Sequence, residues 1–147
     1  AFTRVWGRAS FRFVVDGVQL TFLDSSAASI DALVYDELSR WLHEGVGRVH
    51  VVITHVPPLD PRGERNLGFA SRDEAASLLS SLARHGVDLA LHGHIHSYVA
   101  FTTMGVVSYI SGGASDSRES FVGVERHYLT VDVNTNGIQR VSRVDVP

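Results

Sequence analysis

The sequence predicts a mixed α/β fold of the α+β type, in which strands predominate towards the C-terminal end. Two short apolar runs, residues 49–53 and 87–91, have the length of buried strands, and each follows a stretch with helical periodicity. Four further strand-like stretches lie between residues 98 and 144. Helices and strands that alternate, followed by a run of strands, indicate this fold class.

The first predicted elements are a hairpin and a helix. Residues 10–15 and 18–23 flank Asp16-Gly17, a pair that favours a type I′ turn because both central residues take positive φ. Apolar side chains then recur at helical spacing up to Gly45, and we expect Trp41 to pack in the core because it belongs to this stripe. The predicted stripe consists of Ile30, Leu33, Val34, Leu38, Trp41 and Leu42.

A long loop and a second helix are predicted between the two buried strands. Residues 56–70 show no periodicity and contain three prolines and two glycines, and a loop of that length is usually functional or disordered. Ser71 and Glu74 predict a capping box, with Ser71 as the N-cap and the Glu74 side chain reaching back to it. The helix should end at Gly86 and bury the face formed by Ala75, Leu78, Leu79 and Leu82.

The C-terminal third is predicted to consist of strands. These cover residues 98–102, 106–111, 127–133 and 138–144, and residues 134–137 form a turn between the last two. In the third of these strands, Leu129, Val131 and Val133 alternate with polar positions, which is typical of a strand with one buried side.

Composition limits the possible functions. A chain of 147 residues that is 44% hydrophobic can form one domain with a substantial core. The net charge of −3 and the lack of a Lys or Arg run argue against a nucleic-acid-binding surface, and no apolar segment has the length of a membrane span. Because the chain has no cysteine, any metal must be bound through histidine nitrogen and oxygen atoms.

Three histidines lie shortly after predicted buried strands. His55 comes after residues 49–53, and His94 and His96 come after residues 87–91. Strand ends that meet at one cleft can bring such side chains together, and Gly93 lets the backbone approach closely. If the second segment is extended, His94 and His96 point the same way about 6.5–7 Å apart, and they can serve neighbouring ions. The sequence therefore predicts a metal site at His55, His94 and His96.

These segments resemble two motifs of a known family. Thr54-His55-Val56-Pro57-Pro58 and Gly93-His94-Ile95-His96 are similar to the H-x-P and G-H-x-H elements of the calcineurin-like metallophosphoesterases. Leu23-Asp24-Ser25, Arg40-Trp41-Leu42 and Ser111-Gly112-Gly113-Ala114 fit the same pattern. The resemblance covers most of the chain and implies the C-terminal part of a four-layer α/β/β/α sandwich with mixed β-sheets.

The resemblance also implies a chemistry. Enzymes of this family hydrolyse phosphomonoesters or phosphodiesters with two divalent or trivalent metal ions, such as Mn, Fe or Zn. Carried over by position, His96 would bind the first metal, and His55 together with His94 would bind the second. The match assigns no catalytic or substrate-binding residue in this chain.

Three earlier motifs of the family do not occur in this sequence. There is no D-x-H, no Gly-Asp and no Gly-Asn-His, and the chain begins at Ala1 without an initiator methionine. We therefore expect residues 1–147 to form a single partial metallophosphoesterase domain whose partner is its own missing N-terminal half. Taken alone, such a fragment should have little or no activity.

Two other interpretations remain open. His55, His94 and His96 could form a single three-histidine zinc site with water as the fourth ligand, as in a hydratase. Alternatively, the chain could be a non-catalytic interaction module.

Several further residues near the motifs are expected to have supporting roles. His92 is expected to support the metal ligands or to be exposed. Tyr98 is expected to pack within its strand or to line the substrate cleft. Four polar residues of the long loop are expected to be solvated, with contact to substrate phosphate as the alternative. They are Asp60, Arg62, Arg65 and Asn66. No function is assigned to His43, His50, His85 and His127.

Overall fold

The computed structural model describes residues 7–63, 67–114 and 125–147, which form a six-stranded sheet, a two-stranded sheet and two helices. In chain order these are β1 (Phe11–Val15), β2 (Val18–Leu23), α1 (Ala32–Gly45), β3 (Val49–Thr54), α2 (Arg72–Arg84), β4 (Leu89–His92), β5 (Tyr98–Thr103), β6 (Val106–Ser111), β7 (His127–Asn134) and β8 (Gly137–Asp145). This mixed α/β architecture confirms the predicted fold class.

The large sheet has a parallel centre and antiparallel edges. Its order is β1-β2-β3-β4-β6-β5, and β2, β3, β4 and β6 run parallel to one another. Their carboxyl ends therefore lie at one edge of the sheet, where α/β proteins usually bind ligands. Thr54 and His92 are register partners there, so the residues after them start side by side.

The predicted hairpin is confirmed. Asp16 and Gly17 have φ values of 48° and 80°, and β1 pairs antiparallel with β2 from Phe11↔Phe22 to Val15↔Val18. Both turn residues occupy the left-handed region that a type I′ turn requires.

One face of the sheet is covered by the two helices. Trp41 is 6% exposed and packs with Leu38, Leu42 and the buried face of α2, so its predicted core role is confirmed. Leu33 was predicted to share this stripe, but it is 82% exposed. At about 100° per residue, Leu33 lies roughly 140° around the helix axis from Leu38 and faces solvent.

The predicted capping box is only half formed. The Ser71 hydroxyl accepts a hydrogen bond from the Glu74 amide at 3.2 Å, as expected of an N-cap. The Glu74 carboxylate does not reach back to Ser71. Its Oε1 accepts from the Ile30 amide and from the Tyr35 hydroxyl, both at 2.8 Å, and these donors satisfy it in place of the N-cap amide. Glu74 therefore connects α2 to the start of α1.

The opposite face of the sheet is partly covered by the β7–β8 hairpin. Val131, Ile138 and Val141 pack there against a buried cluster that includes Val51 and Leu89. Beyond this hairpin, on β1 and β2, the rings of Phe11 and Phe22 stack at 4.8 Å and those of Phe13 and Phe22 at 5.8 Å. Within the described ranges, no helix is long and apolar enough to cross a membrane.

Candidate metal centre

His55 and His94 meet at the carboxyl edge of the parallel strands. His55 follows β3 directly and His94 follows β4 after one glycine. Their rings are 5.3 Å apart between centroids and stand edge to face at 77°. The Gly93 amide also donates to the His55 carbonyl oxygen at 2.9 Å, so the two loops are tied through their backbones. The structure therefore brings together one predicted ligand from each motif.

Glycine at position 93 leaves room for this close approach. A Cβ atom at this position would lie 3.3 Å from His55 Nδ1, which is tighter than most carbon contacts. With glycine, the His55 ring can lie against the β4 exit.

The segment from Gly93 to Ser97 is not extended, contrary to the sequence-based expectation. The Ile95 amide donates to the Gly93 carbonyl oxygen and the Ser97 amide to the Ile95 carbonyl oxygen, each at 2.7 Å. Such bonds between residues two apart define tight three-residue turns, and His94 has a φ of 65°. His94 and His96 are thus the central residues of consecutive turns, and the separation expected for a strand does not apply.

The backbone that directly follows β6 packs against these turns. Gly112 donates its amide to the Ser97 carbonyl oxygen at 3.1 Å, and a Cβ atom on Gly112 would overlap the Ile95 carbonyl oxygen. The His96 loop is therefore folded against the Gly112 backbone. No local pattern around His94 shows this contact in the sequence.

The histidine pair does not extend to a larger group within the described part of the chain. No set of three or more His, Cys, Asp or Glu side chains lies close enough there to hold a metal ion. His55 is exposed, and His94 and His96 are half-buried. Among the described residues, His96 therefore does not form a metal-holding group of three with His55 and His94.

His92 is buried, so the exposed role considered for it is wrong. It is 5% exposed, and its Nδ1 lies 2.7 Å from the Thr54 hydroxyl. The ring stacks on Phe101 at 6.3 Å, and burial lowers the pKa of His92 to about 4. His92 alternates with Leu91, and this period-2 pattern places it on the helix side of the sheet.

Two clefts lie near the β2 and β3 exits. The one beside His55 has a volume of about 430 Å³ and an apolar floor. It is lined by Phe11, Phe22, Ile53, Leu91, His55 and Gly93. A larger cleft of about 680 Å³ lies beside the start of α1, near Asp24 and Trp41, and none of the predicted metal ligands lines it. The smaller cleft therefore has the better position for chemistry at the histidine pair.

The long loop after His55 is anchored by an ion pair. Asp60 is 6% exposed, and its carboxylate accepts from Arg62 Nε at 3.1 Å and from Nη2 at 3.0 Å. These two residues are therefore not simply solvated, as the sequence suggested, because a buried carboxylate requires its charged partner. Arg65 and Asn66 lie outside the described residues.

Two histidines without a predicted function are also buried. His50 Nε2 lies 2.8 Å from the Thr21 hydroxyl and 3.1 Å from the Gln19 amide nitrogen. Burial lowers the pKa of His50 to about 4, although the nearby Asp88 carboxylate acts in the opposite direction. His127 packs edge to face on Tyr98 at 5.8 Å. Both histidines contribute to packing.

The chain belongs to the calcineurin-like phosphoesterase family. The family model matches residues 4–98, which include both histidine motifs. No curated protein sequence gives a significant match.

Solved structures share the fold at low sequence identity. GAP50, described as the anchor in the inner membrane complex of Plasmodium, superposes with a TM-score of 0.64 and 16% identity over 94% of this chain and 53% of its own. Purple acid phosphatase PPD1 from yellow lupin (Lupinus luteus) seeds gives a TM-score of 0.64 and 10% identity over 85% of this chain and 28% of its own. The chain thus spans about half the length of GAP50 and a smaller share of the phosphatase.

Proposed function

We propose that this chain supplies part of the dinuclear metal centre of a metal-dependent phosphoester hydrolase. The observation that carries the proposal is the contact between His55 and His94, which come from different motifs of a phosphoesterase family and meet at one sheet edge. We assign this pair to one metal ion and His96 to a neighbouring one. The rest of the domain would supply the remaining ligands.

The chemistry of the pair fits a metal site. Two imidazoles from adjacent strand exits are ordinary ligands for Zn, Mn or Fe, and the Gly93–His55 backbone bond holds their loops together. When bound, two such ions would activate water and neutralise the phosphoryl oxygens of a phosphomonoester or phosphodiester. The residues of this chain orient the imidazoles and provide an apolar wall beside them.

The contribution of this chain to such a centre is incomplete. Within residues 7–63, 67–114 and 125–147, no carboxylate joins the histidines in a metal-holding group. We propose that residues 1–147 act together with further residues of the domain and have little activity alone. The same observation weakens the alternative of a single three-histidine zinc site, because His96 is not grouped with the His55–His94 pair.

A non-catalytic role is the second candidate. GAP50 has the same fold and is described as an anchor in a membrane complex, so the fold is also found in a protein named for an attachment role. In that case the histidines would not be used for hydrolysis. The two candidates differ in metal dependence.

The test uses a protein that also contains the D-x-H, G-D and G-N-H motifs upstream. We expect this protein to hydrolyse an aryl phosphate or phosphodiester only with added Mn²⁺ or Zn²⁺. His94→Ala should lower kcat by orders of magnitude, because it removes a ligand of one of two cooperating ions. His43→Ala is the matched control, since this histidine is exposed on α1. Equal rates for the wild type and His94→Ala would contradict the proposal.

The chain by itself provides a second readout of the same proposal. Calorimetric titration with Zn²⁺ should show weak binding that His94→Ala abolishes and His43→Ala leaves unchanged. Two or three neutral ligands give far less than the roughly 10–16 kcal/mol of a complete four-ligand site. Two tightly bound equivalents per chain would show that the site is complete without further residues.

A further inference from the structure

Two hydrogen bonds connect the end of β4 with the turn that carries His55. The Thr54 hydroxyl donates to the Val56 carbonyl oxygen at 2.8 Å. The hydroxyl oxygen of Thr54 also lies 2.7 Å from His92 Nδ1. Thr54 and Val56 precede and follow His55 in the chain. The bonds therefore fix the backbone on both sides of His55.

The hydrogen bonds of the Thr54 hydroxyl determine the tautomer of His92. A threonine hydroxyl has one hydrogen, and here that hydrogen is donated to Val56. The contact with His92 requires a second hydrogen, which must be on Nδ1 of the neutral ring. The Nε2 atom is buried and has no partner within the described residues, so no hydrogen bond there favours the opposite tautomer.

We propose that His92, as its Nδ1–H tautomer, is a positioning residue for His55. Its N–H donates to Thr54, whose hydroxyl then points at Val56 and holds the turn in the conformation that places the His55 ring against His94. The proposal rests on the proposed function in so far as His55 is a metal ligand. Its structural part, the control of the His55 turn by one N–H group, is independent of metal.

The alternative is that His92 acts only by packing, and the experiment must distinguish packing from hydrogen-bond donation. The His92 ring also stacks on Phe101, and many apolar side chains could fill that space. Asparagine and leucine have the same branched shape at Cγ, but only asparagine carries an N–H group at the position of Nδ1. His92→Asn therefore keeps the donor, and His92→Leu removes it at nearly constant shape.

The first measurement is the tautomer itself. Long-range ¹H–¹⁵N spectra of the full chain near pH 7 should show His92 with its hydrogen on Nδ1. A spectrum of the Nε2–H form would overturn the proposal, because Thr54 would then have no donor from this ring.

The second measurement compares the two variants. His92→Leu should shift the backbone and ring resonances of His55 and weaken Zn²⁺ binding by the full chain roughly tenfold, the lower end of typical losses when a supporting group is removed. His92→Asn should keep the His55 resonances close to those of the wild type and bind Zn²⁺ within about threefold. Equal effects of the two substitutions would mean that His92 acts by packing alone.

The failure of the proposed function would look different. If the wild-type chain took up no Zn²⁺, the proposed metal role would lose support, while the His55 resonances would still decide the role of His92. A shift of the His55 resonances in His92→Leu alone would support the positioning role of His92. Equal shifts in both variants would overturn that role.

Discussion

Gly112 shows how a single residue can determine the shape of the candidate site. A Cβ atom at Gly112 would overlap the backbone oxygen of Ile95, so alanine should force the His96 loop to move and cost about 1–3 kcal/mol. Urea unfolding would measure this cost, and the amide resonances of Ile95 and Ser97 would report the loop. An unchanged unfolding free energy with unmoved resonances would show that the contact is unimportant.

The adjacent glycine provides a matched control for that prediction. A Cβ atom at Gly113 would overlap the ring of His127, which is a side chain and can be removed. The double variant Gly113→Ala/His127→Ala should therefore lose less unfolding free energy than the sum of the losses in the two single variants. It should also leave the resonances of Ile95 and Ser97 in place.

Sequence could single out His55, Gly93 and His94 as candidates because each lies within three residues of the end of a buried apolar run. The turns at His94 and His96 could not, because they depend on a backbone contact with Gly112 that is specified by the fold. The burial of His92 also depends on tertiary structure, since its hydroxyl partner Thr54 is 38 residues away in sequence.

At the scale of elements, strand and helix positions followed from local signals. Turn residues at Asp16 and Gly17, the N-cap at Ser71 and the apolar periodicities each act within a few residues. The side chain of Glu74 did not follow its local motif, because its donors Ile30 and Tyr35 lie 44 and 39 residues away. Local patterns therefore predicted the elements better than the contacts between them.

The packing of β3 against α1 makes stability depend on pH through His50. Its pKa is about 4 in the fold, below the ordinary value of 6.5, so the unfolded chain binds the additional proton between these values. The contribution of neutral, buried His50 to the unfolding free energy is therefore fully present above pH 6.5, and it is lost as the pH falls towards 4. The shift corresponds to at most roughly 3 kcal/mol.

Urea unfolding at pH 7 and at pH 4.5 would test this dependence. His50→Leu should reduce the loss of unfolding free energy between the two pH values, while His43→Leu, at an exposed position, should not change it. Part of the dependence should remain because burial also lowers the pKa of His92. An identical loss in the wild type and in His50→Leu would show that His50 does not titrate in this way.

At the scale of the whole molecule, an apolar surface lies on β1 and β2, on the part of the sheet face that the β7–β8 hairpin leaves uncovered. We call it the phenylalanine face. Phe11 and Phe13 are each 41% exposed and stack with Phe22, and Val15 on the same face is 51% exposed. Contiguous apolar surface of this kind usually marks a place where other protein packs, and β1 is also an edge strand. The chain spans 53% of GAP50, which shares its fold and has further residues that this chain lacks.

We therefore expect the chain alone to self-associate and to bind an apolar fluorescent dye through this face. Phe13→Thr should at least halve the dye signal and shift sedimentation towards the monomer, because threonine retains strand propensity while the substitution removes one of the two rings that are each 41% exposed. Leu33→Gln is the control, since Leu33 is 82% exposed but lies on α1, away from the phenylalanine face. If the wild type is monomeric, binds no dye and melts sharply, the phenylalanine face needs no further protein to cover it. The expectation that residues 1–147 are a partial domain would then lose its main physical support.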